Sequence, residues 1–419
     1  MAELAATEPT LRDLHEAGRL VWYNLGTGGD PRPDAPIVPV RYFSGEAALG
    51  LLATAGVRNV RSLGIDGGTS YSATFTDLDD KTLLANGRSS FDRQFEEFPK
   101  IIMRTGVDYA PLDAETPIRV YVAATESEML PVKVLEYSIR THASVTTRVI
   151  PLHTTGIAIP TPRDPRNHAR TPFSFQRFLI PEATGHSGHA IYLDADMQLF
   201  RDIRHLWQTA MGEADILAVR EPQATGRKPQ FSVMLLDCAK LGWSIDRIVA
   251  DLDAGAYTYE ALMHEMAAGG KVARVLDEGW NSLERYAGER TALVHYTDME
   301  TQPWVHATNP IGYLWTRELL RAIADGAIDR GLVAEHVARG WVRPSLLTQI
   351  DEGINDGILL GRRARSIDRG FVAPYRALNA VGARPWLSPA MQVRATLRDL
   401  YHRSPLWRLE RKIRGRLSR

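Results

Sequence analysis

The sequence predicts an α/β protein with a second, partial α/β unit in front and a helical, basic tail behind. Three observations carry this expectation. Apolar runs of strand length alternate with Gly- or Pro-marked loops and helical periodicity along most of the chain. One run, HAIYLD at 189–194, is continuously apolar and stops at two aspartates, as strands buried on both faces do. The last stretch, 391–419, holds nine Arg and Lys against Asp399 and Glu410, a local net charge of +7.

In the first unit, RLVWYN (19–24) reads as a short strand ending in the glycine loop of Gly26, Gly28 and Gly29. Ser44 is placed to cap a helix with Ala48, Leu49, Leu51 and Leu52 as its apolar positions and Gly56 as its stop. VRSLGID (60–66) follows as a strand. Residues 91–103 read as a helix with Phe95, Phe98, Ile101 and Ile102 on one side.

The second unit opens with IRVYVAAT (118–125), a β-branched strand. Pro131 suits the first turn of a helix through Val134, Leu135, Ser138 and Ile139. TTRVIPLH (146–153) is the next strand, 160–172 is an irregular Pro/Arg-rich loop, and 173–179 is helical. After the 189–200 run come strands at 215–219, 231–236, 272–276 and 291–295, then helices over 313–340 and in the tail.

Composition narrows the class. A chain of 419 residues allows two domains and a tail at roughly 100–200 residues each. With 44% apolar and 24% charged residues it is an ordinary globular protein, which excludes disorder, collagen and coiled coil. One cysteine, Cys238, excludes an internal disulfide framework or a cysteine zinc site and fits a reducing cytoplasm. No apolar run is long enough to span a membrane, and MAELAATEPTLRD lacks the apolar core of a signal peptide. Zero net charge gives no general attraction to nucleic acid.

The sharpest chemical feature is Asp194-Ala195-Asp196 at a strand end. Ligands of open α/β sheets collect at the carboxyl ends of strands. Two carboxylates there suit Mn²⁺ or Mg²⁺, which binds such groups together with phosphate oxygens. A solvated turn is the other reading of the tripeptide. His295 closes the apolar strand TALVH and is followed by Gln302-Pro303-Trp304. It is either structural or a neutral ligand to the same ion. Arg177 lies in the apolar segment FSFQRFLIPE, where an arginine needs an anionic partner, either a structural carboxylate or a ligand phosphate.

Taken together, AATESE, FSFQRFLIPE, IYLDADMQLF and HYTDMETQPW, in that order over about residues 117–305, resemble the glycogenin-like retaining glycosyltransferases of family 8. The resemblance implies a GT-A type domain, an α/β fold with a Rossmann-like mixed sheet. It also implies a nucleotide-sugar donor, usually UDP-linked, and manganese held by Asp194, Asp196 and His295. By the same resemblance Ala123, Ala124, Thr125 and Ser127 match the loop that holds the nucleoside. Arg177 matches a basic position before the DxD strand and would stabilise developing charge. Gln302 falls near a lysine position that contacts the diphosphate, with the charge lost here. Many relatives carry Asp-Gln on a helix facing the sugar. Here the stretch is TYEALMHEM, and Glu260 is its nearest polar candidate, with a surface carboxylate as the alternative. Asp277 and Asn281 are candidates to face the acceptor, with structural loop roles equally open. The first unit resembles the later half of a Rossmann-like module.

The expected organisation is therefore 1–116 as an accessory domain, 117–345 as a GT-A domain, and 346–419 as a helical region with a basic amphipathic end. The expected activity is metal-dependent sugar transfer, with retention, to a glycan or lipid-linked acceptor. The tail suggests peripheral contact with an anionic membrane from the cytoplasmic side. A metal-dependent nucleotidyltransferase and a non-catalytic nucleotide-binding scaffold are the rival readings. Oligomeric state is not legible.

Overall fold

The computed structural model describes residues 8–20, 22–25, 33, 35–41, 44–65, 94–112, 117–220 and 231–374. The glycine loop at 26–29 and the basic tail lie outside the described residues. The chain divides into two units, 1–117 with 143–146, and 118–142 with 147–419.

The first unit holds two parallel strand pairs. One is β1 (Asn24–Leu25) with β2 (Ile37–Val38), the other β3 (Asn59–Ser62) with β4 (Asp108–Pro111). The strand expected over 19–24 is thus reduced to its end, and β4 was not expected. Its sequence DYAP carries an acid and a proline, and Tyr109, Ala110 and Pro111 are all buried. The helix Ser44–Thr54 forms where expected, but it buries Ala47, Leu49, Gly50 and Ala53, while Leu52 is exposed. The 91–103 segment becomes a 3₁₀ turn at Gln94–Glu96 and the helix Phe98–Thr105. Pro99 opens that helix and Gly106, at φ 66°, closes it by donating to the Ile102 carbonyl. Phe95, Phe98 and Ile101 pack with Leu49, Val107 and Tyr109. Phe98 meets the Tyr109 ring edge-on at 4.9 Å.

The second unit is built on a mixed six-stranded sheet, the fold class expected. Its order is β11 (Val272–Leu276), β9 (Ile216–Val219), β10 (Val233–Asp237), β7 (His189–Asp194), β5 (Ile118–Ala123) and β6 (Thr147–Pro151). Strand β10 alone runs antiparallel to its neighbours. The continuous apolar pattern of β7 therefore reflects cover on both faces rather than an all-parallel sheet. Carboxyl ends of β5, β7, β9 and β11 share one edge. A second sheet, β12 (Ser282–Leu283), β13 (Leu293–His295) and β8 (Met197–Leu199), starts two residues after β7.

The helix Met129–His142 buries Leu130, Val134, Leu135 and Ile139, with Pro131 in its first turn. Ser138 in that helix accepts the Leu199 N–H at 3.0 Å, which ties β8 to it. The 173–179 segment is not one helix. Gln176–Leu179 is 3₁₀, and an α-helical turn, Ile180–Ala183, starts there because Pro181 needs no amide partner in a first turn. Helices follow at Gly312–Ala324, Arg330–Ala338, Ser345–Asp351 and Gly361–Ile367. Among the described residues no helix is long and apolar enough to cross a membrane.

Candidate active site

Strand register builds the site. Ala123 at the end of β5 sits opposite Asp194 at the end of β7. The loop of Ala124, Thr125 and Ser127 therefore begins beside the first aspartate. Ala123 and Ala124 are fully buried, and Thr125 and Ser127 are half-buried with their hydroxyls 2.9 Å apart. Gln176 clamps this loop from the side. Its amide oxygen accepts from Ala124 N at 2.9 Å and its Nε2 donates to Ala124 O at 2.8 Å. Thr125 and Glu128 form a capping box, with Glu128 Oε2 accepting from Thr125 N at 2.7 Å.

The histidine arrives from far along the chain. Strand β13 pairs antiparallel with β8, which sets His295 opposite Met197, one residue past Asp196. The Tyr296 amide donates to the Asp196 carbonyl at 2.8 Å and locks that register. His295 Nε2 consequently lies 3.0 Å from Asp196 Oδ1 and 3.9 Å from Asp194 Oδ2. Ligand atoms of all three residues fall within 4.8 Å of one another.

The groups around the triad fit a divalent cation. His295 Nδ1 faces Asn281 Oδ1 at 2.9 Å, so the ring presents Nε2 to the two carboxylates. Asp194 Oδ1 accepts the Tyr192 hydroxyl at 2.6 Å. Asp196 Oδ2 accepts from Gln302 Nε2 at 2.9 Å. Each of the three side chains is thus held by a neutral partner, and together they form a donor set that could hold a divalent ion. Burial pulls the His295 pKa down, but Asp196 and Asp194 overcome it and the net direction is up. Burial raises the Tyr192 pKa well above that of a free phenol, so it donates throughout the neutral range.

Arg177 is half-buried above this strand. Its guanidinium lies 5.0 Å from the centre of the Tyr192 ring, and its Nη1 donates to the Phe231 carbonyl at 3.2 Å. No carboxylate among the described residues pairs with it, and its buried Nε has no partner. Among the described residues the cation is held by a π face and a carbonyl, not by a structural carboxylate.

The other expected site residues differ in burial and partners. Gln302 is buried, and its amide hydrogens go to Asp196 and to the Tyr296 carbonyl, each at 2.9 Å, so it holds Asp196 in place. Asn281, expected near the acceptor, is buried with its side chain behind His295. Asp277 is exposed and accepts the Gly279 amide at 2.8 Å as the cap of a short 3₁₀ turn. Glu260, in the first turn of Tyr259–Glu265, is exposed and pairs with Arg170 at 3.5 Å.

Sequence reasoning missed Gln176, Tyr192 and Glu128. Tyr192 had a signal, since residues two apart on a strand share a face and Asp194 is two residues on. Glu128 had one in the T-x-x-E spacing after β5.

A family model described as Glycosyl transferase family 8 matches residues 161–266. No curated protein matches the chain in sequence. Similar solved structures include the glycosyltransferase GlyE of Streptococcus pneumoniae TIGR4, at 15% identity and TM-score 0.36, with 51% of this chain and 64% of that one covered. The galactosyltransferase LgtC, solved with donor and acceptor sugar analogs, matches at 14% identity and TM-score 0.33 over 48% and 95% of the two chains. Mouse xyloside xylosyltransferase 1 matches at 15% and 0.29 over 43% and 98%. This chain thus spans less than two-thirds of GlyE. The family match covers the strand that leads into both aspartates, so the part of the chain that carries them is similar to family 8 glycosyltransferases.

Proposed function

We propose that the chain transfers a sugar, with retention, from a UDP-linked nucleotide sugar to a glycan or lipid-linked acceptor. Residues 118–374 would be the catalytic unit and the first unit an accessory. The observation that carries the reading is the convergence of Asp194, Asp196 and His295 within 4.8 Å beside the Ala123–Ser127 loop, with both aspartates inside the family 8 match. Asp194, Asp196 and His295 would hold Mn²⁺ or Mg²⁺, which when bound neutralises the donor's diphosphate. The residues of the chain do the rest. Gln176 fixes the loop that receives the nucleoside. Arg177 adds a fixed positive charge beside the leaving group, and such preorganised charge is the main catalytic lever of this chemistry. The acceptor proton passes to the departing diphosphate, since Glu260 is exposed and already paired.

The test is hydrolysis of sugar nucleotides without acceptor, followed by proton NMR of the first product formed with acceptor. Chelator should abolish turnover, Mn²⁺ or Mg²⁺ should restore it, and Asp196→Asn should remove it without unfolding the chain. An α-linked donor should yield an α-linked product. Full activity in chelator, release of pyrophosphate in place of UDP, or a β-linked product overturns the reading.

A further inference from the structure

A cavity of about 920 Å³ opens at the carboxyl edge of β9 and β11. The edge is closed by one bond, from the Arg220 amide to the Leu276 carbonyl at 3.0 Å. Arg201, Arg220, Arg285 and Arg290 line the cavity, together with Asp277 and Asn281. Asn281 also holds His295, so this cavity adjoins the triad through one side chain.

Several exposed arginines elsewhere hold carboxylates: Arg61 with Asp108, Arg166 with Asp164, Arg330 with Asp351, Arg363 with Glu352. None of the four cavity arginines makes a side-chain hydrogen bond or ion pair with a described residue. Glu278 and Glu289 share the same wall and pair with none of them either. The wall itself is tightly built. The Asp277 carboxylate is committed to the Gly279 amide, and the Ala292 amide donates to the Gly279 carbonyl at 2.8 Å. A Cβ on Gly279 would lie 2.2 Å from the Arg290 carbonyl oxygen, so only glycine lets this turn close against the Gly288–Arg290 turn.

Four guanidiniums, two unpaired carboxylates and an amide suit one kind of ligand. Carboxylates accept sugar hydroxyls. Guanidiniums take phosphate or carboxylate oxygens in pairs. A neutral sugar would leave the cationic side of the cavity unanswered.

We propose that this cavity receives the acceptor, and that the acceptor is an anionic glycan carrying a phosphate or carboxylate near the accepting hydroxyl. The proposal rests on the sugar-transfer reading above for the word acceptor. The site itself rests on the cavity.

The experiment uses the full chain and saturation-transfer NMR with three probes: glucose 6-phosphate, glucuronate and glucose, in chelator and without nucleotide. The two anionic sugars should bind saturably and at least about tenfold more tightly than glucose, because one charge-assisted pair contributes about 1.5–3 kcal/mol. Binding of only one of them names the anion as phosphate or as carboxylate. An Arg285→Ser/Arg290→Ser variant with native circular dichroism should lose about tenfold in affinity or more. Adding UDP with Mn²⁺ should leave the anionic sugar bound. Equal binding of glucose, no binding of either anion, an unweakened double variant, or displacement by UDP with Mn²⁺ would overturn the proposal, the last by assigning the arginines to the donor. Sugar-nucleotide hydrolysis by the same preparation separates the two readings. Its absence with anionic sugar still bound sinks sugar transfer alone, and its presence with no anionic sugar bound sinks the cavity proposal alone.

Discussion

Asn281 Oδ1 lies 2.9 Å from His295 Nδ1, and this bond decides which face of the imidazole meets the aspartates. A carboxamide oxygen only accepts, so Nδ1 carries the hydrogen and Nε2 is left facing Asp194 and Asp196. Replacing Asn281 with Leu removes the acceptor while filling the space. Mn²⁺ affinity, read by calorimetry, should fall roughly 10–100-fold, as outer partners of metal ligands typically cost. Unchanged affinity in a folded variant would show that the ring needs no such hold.

Tyr192 plays the corresponding part for Asp194. Its hydroxyl donates at 2.6 Å, while Arg177 rests on its ring. Tyr192→Phe keeps the ring and the cation but frees the carboxylate. The expected loss in Mn²⁺ affinity is about 10-fold. The melting temperature should move far less than for Tyr192→Ala, which also opens a cavity.

Glu128 gives a pH test. Burial is the largest cause of its pKa rising from 4.5 to about 7; the Thr125 bonds oppose it, and Asp196 and Asp194 add to it. The folded chain therefore binds this proton more tightly than the unfolded chain does. Its contribution is fully present below pH 4.5 and is lost as pH rises through about 7. In chelator, urea unfolding of wild type should lose about 1–3 kcal/mol relative to Glu128→Gln between pH 5 and 8. Parallel curves for the two proteins would refute it.

Glu260→Gln should keep its turnover. The side chain is exposed and its Arg170 pair is loose at 3.5 Å, so the change in stability should be about 0.5 kcal/mol or less. Complete loss of chemistry in a folded variant that still binds UDP would instead make Glu260 a nucleophile.

The basic tail predicts salt-sensitive membrane contact. Each Lys or Arg near an anionic surface contributes up to about 1 kcal/mol, and salt screens this over roughly 8 Å. The full chain should sediment with phosphatidylserine vesicles at low salt, and a chain truncated after Ser404 should not. Equal sedimentation would take the tail out of any such role.

Local sequence carried a good deal of this protein. Ser44 and Gly56 bounded a helix, Pro131 and its apolar neighbours marked another, and IYLDAD announced a buried strand ending in two carboxylates. The triad was legible through motif order, because its chemistry needs those residue types wherever they sit. Their partners were not. Asn281, Gln302 and Tyr192 are ordinary polar residues whose roles depend on register, and a register is a relation between distant strands. Pairing β8 with β13 brings His295 next to Asp196 across about a hundred residues, and no local pattern encodes that distance. The same holds for the arginine cavity. Arg201, Arg220, Arg285 and Arg290 are scattered among many arginines in the sequence, and they become one surface only because β9 and β11 end at the same edge, where the Gly279 turn closes against Arg290.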